Sequence, residues 1–169
     1  MKFVPSVEMN WRKQISGLQL AVRAASAAGL SVAIAQFLRL ENPIYAFLAA
    51  VIVTDLAPAQ SRRLGIHRII ATVVGAVCGA VLSQVLPPRA LGIGLSILMA
   101  MLACQLVQSS EGAKVAGFTC AIVVLQHSPE PWLSAFHRLI ETLIGVGTAL
   151  LISYIPKLIR IREASEKTG

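Results

Sequence analysis

Seven side chains in this sequence place charge or a hydroxyl within or at the ends of hydrophobic runs: Arg23, Asp55, Arg68, Thr72, Arg138, Glu141 and Thr142. Polar groups in such runs face a protein interior or a water-filled path in preference to lipid. Three guanidiniums with two hydroxyls suit recognition of an anion. The first supply positive potential and planar donor pairs, and the second can donate to a carboxylate oxygen. Glu141 and Asp55 are candidate proton carriers beside that anion. Plainer roles compete. Glu141 follows Arg138 by three residues and His137 by four, which favours a local ion pair. Arg23 lies roughly 9 Å along its helix, where a long side chain can still snorkel to headgroups. Asp55 has Arg23, Arg62 and Arg63 as candidate partners.

Other chemistry finds no support. There is no glycine-rich GxxxxGK loop, so no ATP-driven step is expected. His67, His127 and His137 lack metal-ligand spacing on one helix face, and no nucleophile–base pattern occurs. We expect no enzyme activity, no metal and no cofactor. Cys78, Cys104 and Cys120 all lie in apolar runs, odd in number and without CxxC spacing. They read as buried thiols and not as a disulfide framework.

The elements that must hold these residues are hydrophobic helices. The chain has 169 residues, 56% hydrophobic and 14% charged, with mean hydropathy +0.72. Soluble domains are nearer half apolar and a quarter charged, so an integral membrane protein is expected. The net charge of +7 then sets topology and does not require nucleic acid. Residues 1–16 are too polar for the core of a cleaved signal. They suit a cytoplasmic or interfacial segment, with Trp11 at the interface and Arg12 and Lys13 among headgroups. Six helices follow: Gly17–Leu38, Ile44–Leu56, Ile66–Leu86, Ala90–Gln108, Ala113–Gln126 and Phe136–Ile155. The breaks between them are rich in Pro, Ser and Gly. Asn42 reads as an N-cap with Pro43 as the first helical residue. Ala24, Ala28, Ser31 and Ala35 give the first helix a small packing face. The second and fifth helices are short for a hydrocarbon core of about 30 Å. Lys and Arg concentrate before the first helix, in the second connection and in the tail at 156–169, which puts both termini in the cytoplasm.

The stretch "HRIIATVVG" at 67–75 returns as "HRLIETLIG" at 137–145. A gapless shift of seventy residues also pairs Ser26 with Ser96, Glu41 with Glu111, Ala46 with Ala116 and Ser83 with Ser153. The unit, 17–86 and again 90–155, has three helices. An odd number of crossings turns the second copy upside down, an inverted 3+3 repeat. Arg68, Thr72, Gly75, Gly79 and Ser83 then form one helical face, and Arg138, Thr142, Gly145, Ala149 and Ser153 its copy. That stripe serves close helix packing, or it lines a path with an Arg at each opening; both can hold. Short helices at matched positions point to a transport site.

The segment "LENPIYAFLAAVIVTDLAPAQSRRLGIHRIIATVVGAVCGAVL" resembles the membrane domain of the aromatic acid exporter and fusaric acid resistance (FUSC-like) superfamily. The shared pattern is N-P-x-Y/W-A, a short apolar helix, a Ser/Gln-rich basic turn, and R-x-x-G-T-x-x-G. Asn42, Pro43, Tyr45, Ala46, Arg68, Thr72 and Gly75 carry it here, with Ala71 in place of the glycine before Thr72. Arg138, Glu141, Thr142 and Gly145 continue the likeness in the second half. The layout is more distantly similar to plant aluminium-activated malate transporters, whose six-helix domain pairs into an anion-conducting dimer. The resemblance implies export of aromatic or other organic carboxylates across a bacterial inner membrane. We expect the chain to work as a homo-oligomer, a dimer or trimer. Most members continue into a large cytoplasmic domain or a second membrane half. Two rivals stand beside that expectation: a channel for small inorganic anions, and a non-transporting membrane module that partners a separately encoded subunit.

Overall fold

The computed structural model describes residues 8–40, 42–107, 112–126 and 129–155, and among these it contains six helices and no strand. They are α1 (Glu8–Phe37), α2 (Ile44–Val53), α3 (Pro58–Val85), α4 (Ala90–Leu106), α5 (Ala113–Gln126) and α6 (Pro131–Tyr154). Segments this apolar fold as helices because helices satisfy their own backbone polar groups. α1, α3 and α6 are long and apolar enough to cross a membrane, whereas α2, α4 and α5 are shorter apolar helices. Lys2, Glu41, Glu111, His127 and the basic residues of the 156–169 tail lie outside the described residues, as do the side chains of Trp11, Arg12 and Lys13.

Several boundaries differ from the sequence reading. α3 starts at Pro58, eight residues before Ile66, so "PAQSRR" is helix and not connection. α6 starts at Pro131, five residues before Phe136. In both cases proline is tolerated in the first turn, where its missing N–H would lack a helical partner anyway. Polarity marked these turns as loops, but polar residues can open a helix as it enters an apolar layer. α1 likewise extends back to Glu8. α2 ends at Val53, so Asp55 lies beyond it, and Pro43 is the N-cap residue. At ten residues α2 is only about 15 Å long. α1 closes with Arg39 in the left-handed region (φ 52°), where Arg39 N–H donates to Gln36 O and Leu40 N–H to Ala35 O. This paired closure satisfies two carbonyls that the helix end would leave bare.

α3 and α6 form the centre and run antiparallel. Ser61 meets Ser153 at 2.9 Å, Thr72 meets Thr142 at 3.4 Å, and Ala76 and Ala80 cluster with Ala135. α5 packs on α3 and α2 on α6; α4 flanks α3 and α5, while α1 flanks α6 and α2. The buried, half-buried and exposed positions of 62–76 recur in the same order at 132–146. On the flanking helices the buried rows are Arg23, Ala27, Ser31 and Ala35 in α1 and Gly92, Ser96, Ala100 and Cys104 in α4. These rows correspond at an offset of 69, so the gapless pairing of Ser26 with Ser96 does not hold there: Ser26 is half-buried and Ser96 buried. Ala24 and Ala28 are also only half-buried.

The core is made largely of alanine, glycine, serine and threonine, which lets helix backbones approach closely. A Cβ placed on Gly75 would run into the Ala116 backbone, and one on Gly145 into the Ala46 carbonyl and Ala49. Gly79 faces Val123 and the Cys120 carbonyl in the same way. Ser83 sits at the half-buried edge of this face. The outer surface carries Leu18, Val73, Val77, Leu91, Leu98, Leu143 and Leu151, as a lipid-facing surface requires. Cys104 and Cys120 are buried, Cys78 is half-buried, and no disulfide joins them.

Candidate functional site

The polar stripe meets itself where α3 crosses α6. Thr72 and Thr142, both almost fully buried, touch through their hydroxyls. Thr72 Oγ1 also donates to Arg68 O at 2.9 Å. A threonine hydroxyl has one proton, so Thr142 is the donor in the Thr–Thr contact. Both protons are committed inside the protein in this arrangement, which departs from the expectation that the two hydroxyls face a carboxylate.

Arg68 and Arg138 flank this contact, each 97% buried. Neither lies at a helix opening, as the repeat "HR" suggested. Because α3 and α6 begin earlier than expected, Arg68 is about 15 Å along its helix and Arg138 about 10 Å along its own. Arg138 Nη1 forms an ion pair with Glu141 Oε2 at 3.2 Å. Its guanidinium also stands 3.3 Å from the centroid of the Tyr45 ring. Arg68 lies 4.9 Å from the centroid of Phe118. Cation–ring contacts of this kind gain strength where water is excluded. The Nε and Nη1 of Arg68 and the Nε of Arg138 are buried with no hydrogen-bond partner among the described residues. Buried donors left unmet are costly, most of all on a charged group.

Two other candidates stand apart from this centre. Arg23 is buried but points at neither threonine: Nη1 donates to Leu56 O at 3.0 Å and Nη2 to Ile155 O at 3.3 Å. It ties together the chain just past the ends of α2 and α6, where unsatisfied carbonyls favour a cation. Asp55 forms a local turn instead of any of the pairs open to it: Oδ1 accepts from Ala57 N–H at 3.1 Å, and its own N–H donates to Ser61 Oγ at 2.9 Å.

Sequence reasoning passed over Tyr45 and Phe118 as ring partners and Ser61 as the partner of Ser153. Ser61 was within reach. Counting back from Thr72 and Arg68 at helical spacing gives Gly65 and Ser61, which extends the stripe by two turns once α3 is started at Pro58. An open groove of about 560 Å³ lies beside that end of α3, lined by Arg62, Arg63, His67 and Tyr154 among others.

The sequence is similar to those of several curated proteins. The UPF0421 protein of Staphylococcus saprophyticus is 26% identical over 147 residues, covering 86% of this chain and 44% of the relative. That of Staphylococcus haemolyticus is 29% identical over 146 residues, with the same coverage. The p-hydroxybenzoic acid efflux pump subunit AaeB of Escherichia fergusonii is 28% identical over 163 residues, covering 82% of this chain and 24% of that protein. The chain thus spans less than half the length of these relatives. No solved structure matches it. Residues 30–152, which hold the α3–α6 crossing and both buried arginines, match the fusaric acid resistance protein-like family, and the chain belongs to that family.

Proposed function

We propose that the chain forms a membrane domain that exports organic carboxylate anions, aromatic ones among them, and works as a homo-oligomer in a bacterial inner membrane with both termini cytoplasmic. The observation that carries the reading is Arg68: a guanidinium sunk in an apolar helix bundle, with two donors that meet no acceptor among the described residues. Such a group attracts a carboxylate through a low effective dielectric and can engage it with a planar donor pair. The family and the efflux-pump relative support the direction and class of transport.

The reading takes all six helices as spans and the two halves as an inverted repeat about an axis in the membrane plane. Two reciprocal contacts favour this. Gly75 packs on Ala116 and Gly145 on Ala46, and a shift of seventy residues exchanges one contact for the other. Thr72 and Thr142 exchange places under the same shift, so the axis runs between them. The basic groove at Arg62, Arg63 and His67 would gather anions at one end of the path.

The test is flux of radiolabelled p-hydroxybenzoate into liposomes that contain only this protein, against protein-free liposomes. The expected result is protein-dependent flux that other aromatic carboxylates compete for. Arg68→Ala should lower it well below the level of Arg89→Ala, because Arg89 is exposed and screened by salt over about 8 Å. Chloride flux with no competition by carboxylates would assign an inorganic anion channel. Absence of any flux from well-assembled protein would leave the partner-module reading.

A further inference from the structure

Arg68 and Arg138 hold equivalent places in the two halves, yet their surroundings differ by one carboxylate. Three residues after Arg138 stands Glu141, whose Oε2 accepts from Arg138 Nη1 at 3.2 Å. Three residues after Arg68 stands Ala71, fully buried and packed with Cys104, Ala113 and Ala116. Arg138 Nη1 therefore has its acceptor supplied from within the chain, whereas Arg68 Nη1 and Nε find none among the described residues. Each guanidinium lies over an aromatic ring of the short helix packed against its own: Tyr45 of α2 for Arg138 and Phe118 of α5 for Arg68.

We propose that the carboxylate of a transported acid takes at Arg68 the place that Glu141 takes at Arg138. Each chain then has two matched carboxylate seats, one of which its own Glu141 fills. The inference rests on the export reading and deepens it by naming the seat and the ligand. The ligand is a monocarboxylate, because the seat offers one guanidinium and the neighbouring Thr72 and Thr142 hydroxyl protons are already committed. An aromatic acid suits it, since Phe118 lies beside the guanidinium and is a ring that the acid's own ring could meet. Glu141 is in this view a positioning residue: it closes the second seat to substrate and so sets how many carboxylates the chain carries.

The test is equilibrium binding of radiolabelled benzoate to the full chain in detergent, with flux in liposomes measured in parallel. The parent is expected to bind one equivalent. Arg68→Met should weaken binding by roughly tenfold to a hundredfold, the scale of a lost charge-assisted hydrogen bond. Glu141→Ala should open the second seat and add a second equivalent, which Arg138→Met in the same background removes. Ala71→Glu should supply an internal carboxylate to Arg68 and exclude benzoate. Residue 71 is tightly packed, so if that variant fails to assemble by size exclusion, the Arg68 and Glu141 variants decide the matter. Parental affinity in Arg68→Met, or a stoichiometry that stays at one equivalent in Glu141→Ala, overturns the proposal. The two readings separate cleanly. Flux that is indifferent to Arg68→Met keeps export and removes the seat. Binding with the stated pattern but no flux keeps the seat and removes export.

Discussion

A single methyl group at position 145 should measure how tightly the two halves are fitted. In the native chain a Cβ on Gly145 would lie against the Ala46 carbonyl oxygen, 2.7 Å from the Ala49 Cβ and 2.9 Å from the Ala50 nitrogen. Carbon atoms in contact prefer about 3.5–4.0 Å, so α2 would have to withdraw from α6 by about 1 Å. The obstructing atoms are backbone or Cβ, so no rotamer change relieves them. Overpacking of this kind costs ~1–3 kcal/mol. Alanine returns about 1 kcal/mol through helix propensity, which leaves a net loss of roughly 0–2 kcal/mol. Gly147, two residues on, has nothing within 4 Å of an added Cβ, so Gly147→Ala receives the propensity gain alone. The difference between the two variants isolates the steric part at ~1–3 kcal/mol. Reversible unfolding in mixed micelles, followed by circular dichroism, gives both values. Gly75→Ala, which meets the Ala116 backbone, should behave like Gly145→Ala. Equal stability of Gly145→Ala and Gly147→Ala would refute the argument, because it would mean that α2 is not seated against α6 as described.

Two further outcomes are expected. Arg23→Gln should remove charge-assisted bonds to Leu56 O and Ile155 O, each of the order of 1.5–3 kcal/mol. Faster hydrogen exchange at 54–57 with Arg23→Lys intermediate would support this role, and unchanged exchange would count against it. Cysteines introduced at Pro5 and Ser165 of a variant lacking Cys78, Cys104 and Cys120 should react with an impermeant reagent only from the cytoplasmic side, and labelling of either from outside would reverse the orientation argued from Lys and Arg.

The sequence stated the helices themselves well, because their apolar runs and Pro/Gly breaks are strong local signals. α5 was legible to the residue. Where reading failed, the cause was that polarity is a property of the whole environment and not of a residue. "PAQSRR" looks like a loop by composition, yet it is the opening of α3, and that one misplacement carried Arg68 from the interior to the supposed mouth. The stripe from Arg68 through Thr72, Gly75 and Gly79 was visible in its spacing and is buried as a unit. The partners across it were not visible, since nothing local tells Arg138 that Tyr45 will lie under it, or Arg23 that its acceptors are Leu56 and Ile155. Those contacts depend on how three elements distant in sequence are brought together.

The hydroxyl contact at the centre of the bundle has a mechanical meaning. Thr72 lies eleven residues from Ser61 along α3, and Thr142 eleven residues from Ser153 along α6, which is about 16 Å in each case. The two threonines therefore stand at a fulcrum, with the serine pair at the end of equal arms. If α3 swivels on α6 by about 10° around that point, the threonines barely move. Ser61 and Ser153, on arms of about 16 Å, part by about 3 Å, enough to break their hydrogen bond. The same swivel displaces the far ends of both helices by a like amount in the opposite sense, so a small rotation at the middle becomes opposite changes at the two ends.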